Sequence, residues 1–285
     1  LAQRLVFDLR LPRILTALLL GAALAAAGNV MQMIFNNPLV EPGFLGVSQG
    51  ASFGAAFSII FLSNSTWAVQ ISATVFAFVG LGLSYFIAQR VHYGGWVLRL
   101  VLAGIAVSAF FSSGVGILKY VADPMSQLPE ITFWLLGGLW ALDWSQLISI
   151  LPAVSVGLLI IYLMRWRINL LSLSDETAFS LGSTPGRERM LLLTASVLAT
   201  AAVISVAGMV GWVGLIIPHI ARRIFGADSR FNLPASMLIG AGFTLICDDL
   251  ARTVFAGELP LGILTSLIGA AVFLVLMVQR KGAAE

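Results

Sequence analysis

The amino-acid sequence predicts an all-α, polytopic membrane helix bundle, a single transmembrane domain over residues 1–285. Three observations carry that reading. Hydrophobic residues make up 59% of the chain and charged residues only 10%, whereas a soluble domain carries about 25% charge; the bilayer is the solvent. Apolar runs of helix length succeed one another from residue 14 to residue 279. One polar interval between them, LLSLSDETAFSLGSTPGRERM at 170–190, is longer and better punctuated than a linker requires.

Nine membrane segments are predicted, at 14–35, 44–62, 67–89, 97–118, 146–164, 191–207, 209–221, 233–250 and 261–279. The seventh, MVGWVGLIIPHIA, is short of the roughly 20 residues a spanning helix needs, and Pro218 interrupts it. Such a segment is tolerated only where protein surrounds it. Between the fourth and fifth, residues 123–144 contain an apolar piece suited to an interfacial or re-entrant helix on the outer face. Trp134, Trp140 and Trp144 there suit the headgroup level. Small residues recur at four-residue spacing, as Gly46, Gly50 and Gly54, as Gly104, Ser108 and Ser112, and as Gly262 and Ser266. In lipid such faces let helix backbones approach, and ordinary bundle packing accounts for most of them.

Alternating through nine segments places Arg90, Arg99, Arg165, Arg167, Arg187, Arg189, Arg222, Arg223, Arg230, Arg280 and Lys281 on the side of 170–190. Arg4, Arg10, Arg13, Lys119 and Arg252 fall on the other. The positive-inside rule makes the first side cytoplasmic. The N-terminus then lies outside with no signal-peptide pattern before the first span, so one further upstream helix is expected.

The 170–190 stretch reads as two very short helices joined by a tight turn. Ser174 can cap the first, with Asp175 and Glu176 in its first turn, where acids suit the positive helix end. Gly182 fits the left-handed position beyond it. Thr184 can cap the second, and Pro185 suits its first position. Arg187 and Arg189 precede the next apolar run. A compact capped body between two spans is a docking element.

Enzyme signatures are missing from the sequence: no phosphate loop with a lysine, no paired-histidine metal motif, no nucleophile elbow. His92 and His219 sit far apart at membrane edges, and His219, after Pro218, can simply bond free carbonyls. The net charge of +3 comes without a basic cluster, so nucleic acid is not a partner. The single cysteine, Cys247, rules out an internal disulfide. The long spans carry no acidic residue at mid-depth, which argues against an ion-coupled carrier. Asp248 and Arg252 have the spacing of a surface helix pair. Energy therefore enters from outside the bilayer, through 170–190.

Seven strings run in order along the chain: RLPR from Arg10, NNPLVEPGFLGVSQGAS from Asn36, FWLLGGL from Phe133, DETAFSLG from Asp175, VGWVGLIIPHIARRIFGADSR from Val210, DDLAR from Asp248, and ELPLGILTSLIGA from Glu258. They resemble the FecCD-type permease subunits of type II ATP-binding-cassette importers, which take up iron–siderophore complexes, haem, cobalamin and, in some members, molybdate. The resemblance implies a ten-helix permease fold, with its first helix absent from this chain and about nine membrane helices here. It implies a second permease copy as a homodimer, two cytoplasmic ATPase subunits, and a periplasmic or surface substrate-binding protein, in a bacterial or archaeal cytoplasmic membrane with its lipid. This chain would bind no cofactor, metal or nucleotide; ATP and Mg belong to the ATPase. Asp175, Glu176, Ala178, Leu181, Gly182, Arg187 and Arg189 would form the ATPase-coupling element. Arg10, Arg13 and Arg252 would dock the binding protein, though Arg13 also reads as a snorkelling anchor. The 97–118 and 261–279 helices would line the pathway, offering Ser108, Ser112, Thr265 and Ser266. Where the family has a proline in its last span this chain has Ala271, so that helix is expected to be straighter. The implied cargo is a metal chelate of the iron–siderophore, haem or cobalamin class. The alternatives are a molybdate or tungstate importer of the same family, or an ion-coupled secondary transporter or channel.

Overall fold

The computed structural model describes residues 5–279 apart from 141, 255 and 256, so Arg4, Arg280 and Lys281 of the charge count lie outside the described residues. Among the described residues all regular structure is helical. Twelve α-helices follow in chain order: α1 Leu11–Ile34, α2 Val47–Phe57, α3 Thr66–Arg90, α4 Trp96–Val121, α5 Gln127–Leu136, α6 Trp144–Leu163, α7 Arg165–Leu171, α8 Asp175–Ser180, α9 Pro185–Ala207, α10 Val213–Phe225, α11 Ser229–Thr253 and α12 Leu261–Gln279. Six of these (α1, α3, α4, α6, α9 and α11) are long and apolar enough to cross a membrane, and α12 and α2 with its π-helical extension are shorter apolar helices. With the 13-residue α10 they fall on the nine predicted segments. α12 runs without a break where the family has its proline. α5 supplies the expected short helix within 123–144.

Burial ranks the spans. In α1 and α9, 78% and 72% of the apolar window is buried, against 33–39% in α3, α4, α6 and α11. The two form the core around which the others pack, and their alanine-rich sequences permit it. A Cβ placed on Gly21 of α1 would lie 2.0 Å from the carbonyl oxygen of Gly240 in α11. One on Gly28 would lie 1.9 Å from that of Gly214 in α10. The Gly50 and Gly54 pair meets the α3 carbonyls of Phe76 and Ser72 in the same way. Since lipid tails are as apolar as leucine, these backbone approaches and their dispersion contacts hold the bundle.

α1 and α11 run antiparallel through matched four-residue ridges. At matched four-residue steps Arg13, Ala17 and Gly21 on α1 face Asp248, Thr244 and Gly240 on α11, and further along Asn29 meets Ser236. The Thr244 hydroxyl donates to the Ala17 carbonyl at 2.7 Å, and the Asn29 amide to the Ser236 hydroxyl at 3.1 Å. Polar groups thus pin the pair at both ends while glycines bring it together midway.

Two connecting segments reach into the bundle, the first carrying a 3-10 turn at Pro42–Leu45. Residues 35–46 leave the end that carries α8, called the inner end below. There Phe35 stacks on Trp96 at 5.8 Å and Asn36 donates to the Ser172 carbonyl at 3.0 Å. The chain then climbs between α3 and α4: Ser84 donates to the Leu45 carbonyl at 2.9 Å, and a Cβ on Gly104 would lie 2.2 Å from the Phe44 carbonyl. Gly46, at φ +78°, turns it into α2, a conformation that glycine adopts without steric cost. Residues 208–212 descend from the start of α12, where Met209 meets Gly262, to its middle, where Trp212 meets Gly269. α10 therefore begins at mid-depth and covers only about 20 Å. Pro218 lies inside α10, past its first turn, and the Gly214 carbonyl that its missing N–H leaves unpaired accepts the Gln32 amide at 3.3 Å.

Candidate functional site

At the inner end, α8 forms a small knob. The Ser174 hydroxyl accepts the Thr177 amide at 3.3 Å, with Asp175 and Glu176 in the first turn. Gly182 adopts φ +80°, as the tight turn demands. The second short helix does not exist as a separate unit: Pro185 opens α9, which continues unbroken to Ala207. Nothing in GRERM breaks a helix, so the polar residues extend the span rather than end one. Thr184 makes no side-chain cap. Glu188 takes that part, accepting the Ser183 hydroxyl at 2.8 Å and the Thr184 amide at 3.2 Å.

The knob is tied down from within. Arg189 is only 8% exposed; it pairs with Asp175 at 2.7 Å, donates to the Leu171 carbonyl at 3.3 Å and lies 5.2 Å over the Trp96 ring. Arg167 donates to the Gly182 carbonyl at 3.1 Å and pairs with Glu188 at 3.4 Å. Ala178 is fully buried. Of the residues expected to meet a partner, Ala178 and Arg189 thus face inward, because packing the knob onto α7 and α9 consumes them. Glu176, Leu181 and Arg187 are exposed. Phe179, to which the sequence reading gave no role, is 70% exposed. An aromatic ring inside a polar stretch was the available signal.

Nearby, Asp228 caps α11 and joins it to α7. The Arg230 guanidinium and amide bond its carboxylate, Asn169 donates at 2.8 Å, and these hold its pKa down at about 2. An unfolded aspartate titrates near 3.9, so this contribution is complete above that value and is lost as pH falls through about 2. Carboxyl-detected NMR titration of the protein in micelles is expected to find Asp228 still ionised at pH 3.

At the outer end one of the three arginines is already engaged within the chain. Arg13 is not a free docking group: its guanidinium grips Asp248 from Nε at 3.0 and 3.1 Å and from a terminal nitrogen at 2.7 Å, and also bonds Glu258. Asp248 is wholly buried rather than part of a surface pair. Its arginine partner four residues on, Arg252, sits at 3.5 Å and holds Asp249 more tightly, at 2.5 Å. Spacing within α11 was legible, but the stronger partner comes from α1, 235 residues away. Arg10 is exposed and Arg252 partly so.

Midway between the ends lies a cavity of about 330 Å³. Its wall includes Leu24 of α1, Ser48 and Gln49 of α2, Ser108 of α4 and Gly211, and among its described lining residues Glu41 alone is charged. The Glu41 carboxyl lies toward the backbone N–H of Trp212. Trp212 has φ +71°, an outlier for so bulky a residue, and its ring meets Phe273 edge-on at 6.1 Å. Of the four hydroxyls expected to line a pathway, Ser108 lines this cavity and Ser112 is exposed on α4. Thr265 and Ser266 instead donate to the Gly262 carbonyl at 3.2 and 2.7 Å. Glu41 was passed over because it sits in a loop by sequence; the climb of residues 35–46 carries it to mid-depth.

The FecCD transport family model matches residues 1–279. A probable iron chelatin transport system permease protein of Helicobacter pylori is 41% identical over 98% of this chain and 83% of its own length. The molybdate import permease MolB of Haemophilus influenzae is 39% identical over 98% of this chain and 82% of its own. The hemin permease HmuU of Yersinia pestis is 39% identical over 96% and 83%. A solved structure, described as an inward-facing conformation of a metal-chelate type ABC transporter, superposes with a TM-score of 0.93 at 39% identity, covering 97% of this chain and 88% of that one. With its helical bundle, its capped inner knob and these relatives, the chain belongs to the FecCD transport family, as a multi-pass membrane permease.

Proposed function

We propose that this permease is the membrane subunit of an ATP-driven, binding-protein-dependent importer that moves a metal chelate across the cytoplasmic membrane. The observation that carries the reading is the inner knob: a rigid, capped body presenting Phe179, Leu181, Glu176 and Arg187 outward while the Arg189–Asp175 pair anchors it to α9. An exposed aromatic ringed by charge is the usual form of an interface anchor. α9 runs from this knob to the Gly208–Trp212 segment beside the cavity, so displacement of one end is transmitted along a single helix to the other. An ATPase subunit would bind the knob in each of two permease copies. A binding protein would meet Arg10 and Arg252 outside, where charge steers an acidic partner. Alternating access then follows as a two-state change biased by differential contacts.

The test is co-purification with the ATPase subunit and hydrolysis stimulated by the loaded binding protein. Phe179→Asp is expected to reduce stimulated uptake by roughly tenfold or more, as loss of a buried interface anchor does, with the melting temperature of the isolated permease unchanged. Full uptake by that variant refutes the coupling role. Uptake against a gradient by the permease alone refutes the ATP-driven reading.

A further inference from the structure

We propose that a second cavity, at the outer end of the bundle, is a socket for one lysine or arginine side chain of the binding protein; the partner rests on the import reading above. The cavity, of about 230 Å³, lies between the π-helical extension of α2, the start of α3, α5 and the last turn of α9. Phe133, Trp134, Trp140 and Glu130 form part of its wall. Pockets for drug-sized ligands hold roughly 300–1,000 Å³, so this space suits a side chain rather than a bulky chelate. Phe133 and Trp140 meet edge to face at 6.0 Å, and the Trp140 ring lies so close to Gly138 that a Cβ there would stand 2.7 Å from it. Glu130 is the only charged residue among the described lining residues. The Asn64 amide donates to one of its carboxylate oxygens at 3.1 Å, and no arginine or lysine among the described residues pairs with it. Aromatic rings attract a cation through their faces, and an uncompensated carboxylate beside them completes its recognition by a charge-assisted bond.

The socket gives the outer face both signs of charge. Arg10 is exposed and Arg252 partly so, and neither belongs to the cavity wall. A patch of one sign steers a partner without fixing its orientation, whereas opposite charges held apart fix register and penalise a misaligned encounter. The socket also touches the helix that links the two ends of the bundle. Ser205 and Gly208 line it where α9 finishes. The Gly138 amide donates to the Ala207 carbonyl at 2.8 Å, and a Cβ on Gly208 would lie 2.2 Å from the Trp134 carbonyl oxygen. Within the socket's own wall, therefore, α5 and α9 are latched backbone to backbone. A side chain seated against Trp134 and Trp140 bears on the outer end of α9, and the inner end of that helix adjoins the knob.

The experiment measures the affinity of the binding protein for the complete transporter in nanodiscs by surface plasmon resonance. Glu130→Gln, which keeps an oxygen to accept the Asn64 amide, is expected to weaken binding about tenfold, and Glu130→Lys further. Asp123→Asn removes an exposed outer-end carboxylate that is not part of the cavity, and is expected to leave the affinity within about twofold. Glutamate is then placed in turn at each lysine and arginine on the docking face of the binding protein. One such position is expected to restore the affinity lost in Glu130→Lys. Wild-type affinity in Glu130→Gln overturns the socket and leaves the import reading standing, as does failure of every charge swap. An equal loss in Asp123→Asn overturns it too, because net charge then suffices. A Glu130 effect that vanishes in nanodiscs of phosphatidylglycerol alone assigns the cavity to the amine of a phospholipid headgroup, and likewise overturns the proposal. Absence of binding to the wild-type transporter removes the import reading itself, and the socket with it.

Discussion

Asp248→Ala is expected to destabilise the outer end of the bundle by about 3–5 kcal/mol, the usual cost of stranding one member of a buried ion pair. Asp248 is wholly buried, and Arg13 retains 13% side-chain exposure. Removing the carboxylate leaves a guanidinium facing Glu258 alone at the rim. Cys247, one residue away, is buried and is the only cysteine, so a thiol-reactive dye reports the opening of this end directly on heating. Arg252→Ala is expected to cost less than about 1 kcal/mol, since a partly exposed pair is screened by water. Arg13→Met combined with Asp248→Leu is expected to recover most of the loss, because two apolar side chains need no partner. A melting curve for Asp248→Ala that overlays the wild type would show that the pair is ornamental.

The second large effect is expected at the crossing of α1 and α11. Gly240→Ala places a methyl group 2.4 Å from the Gly21 carbonyl oxygen and 2.7 Å from the Ala25 Cβ. Both neighbours are backbone or rigid, so the helices must part. Overpacking of this kind costs about 1–3 kcal/mol, sometimes more, and the polar pins above and below are pulled out of register with it. Gly242, two residues on, has no neighbour within 4 Å of an added Cβ, so Gly242→Ala is expected to be neutral or to stabilise by up to about 1 kcal/mol through helix propensity. The two alanines are compared by thermal unfolding in the same detergent. Equal melting temperatures would mean that the close crossing does not hold the bundle.

Local signals carried far in some places and stopped short in others. Ser174, the acids after it and Gly182 were readable as a cap, a dipole-matched first turn and a left-handed stop, since each acts within four residues. The glycine spacing at Gly50 and Gly54 announced a packing face, although not that α3 would supply the opposing carbonyls. Arg189 shows the limit. Its position before a span suggested an exposed cation, but the fold turns it under α8 against Asp175 and Trp96. Glu41 shows the same limit in reverse, as a loop residue that the chain path delivers to the middle of the bundle.

By itself the sequence determined the solvent, the all-helical class, the order of the apolar stretches and the family. All of these follow from composition, periodicity and strings of adjacent residues. Tertiary structure alone decided which charges are partners and which are free, because an arginine and its carboxylate 235 positions apart meet only when two helices pack. It also decided the depth at which each polar group lies, and in a bilayer depth sets the cost of a charge.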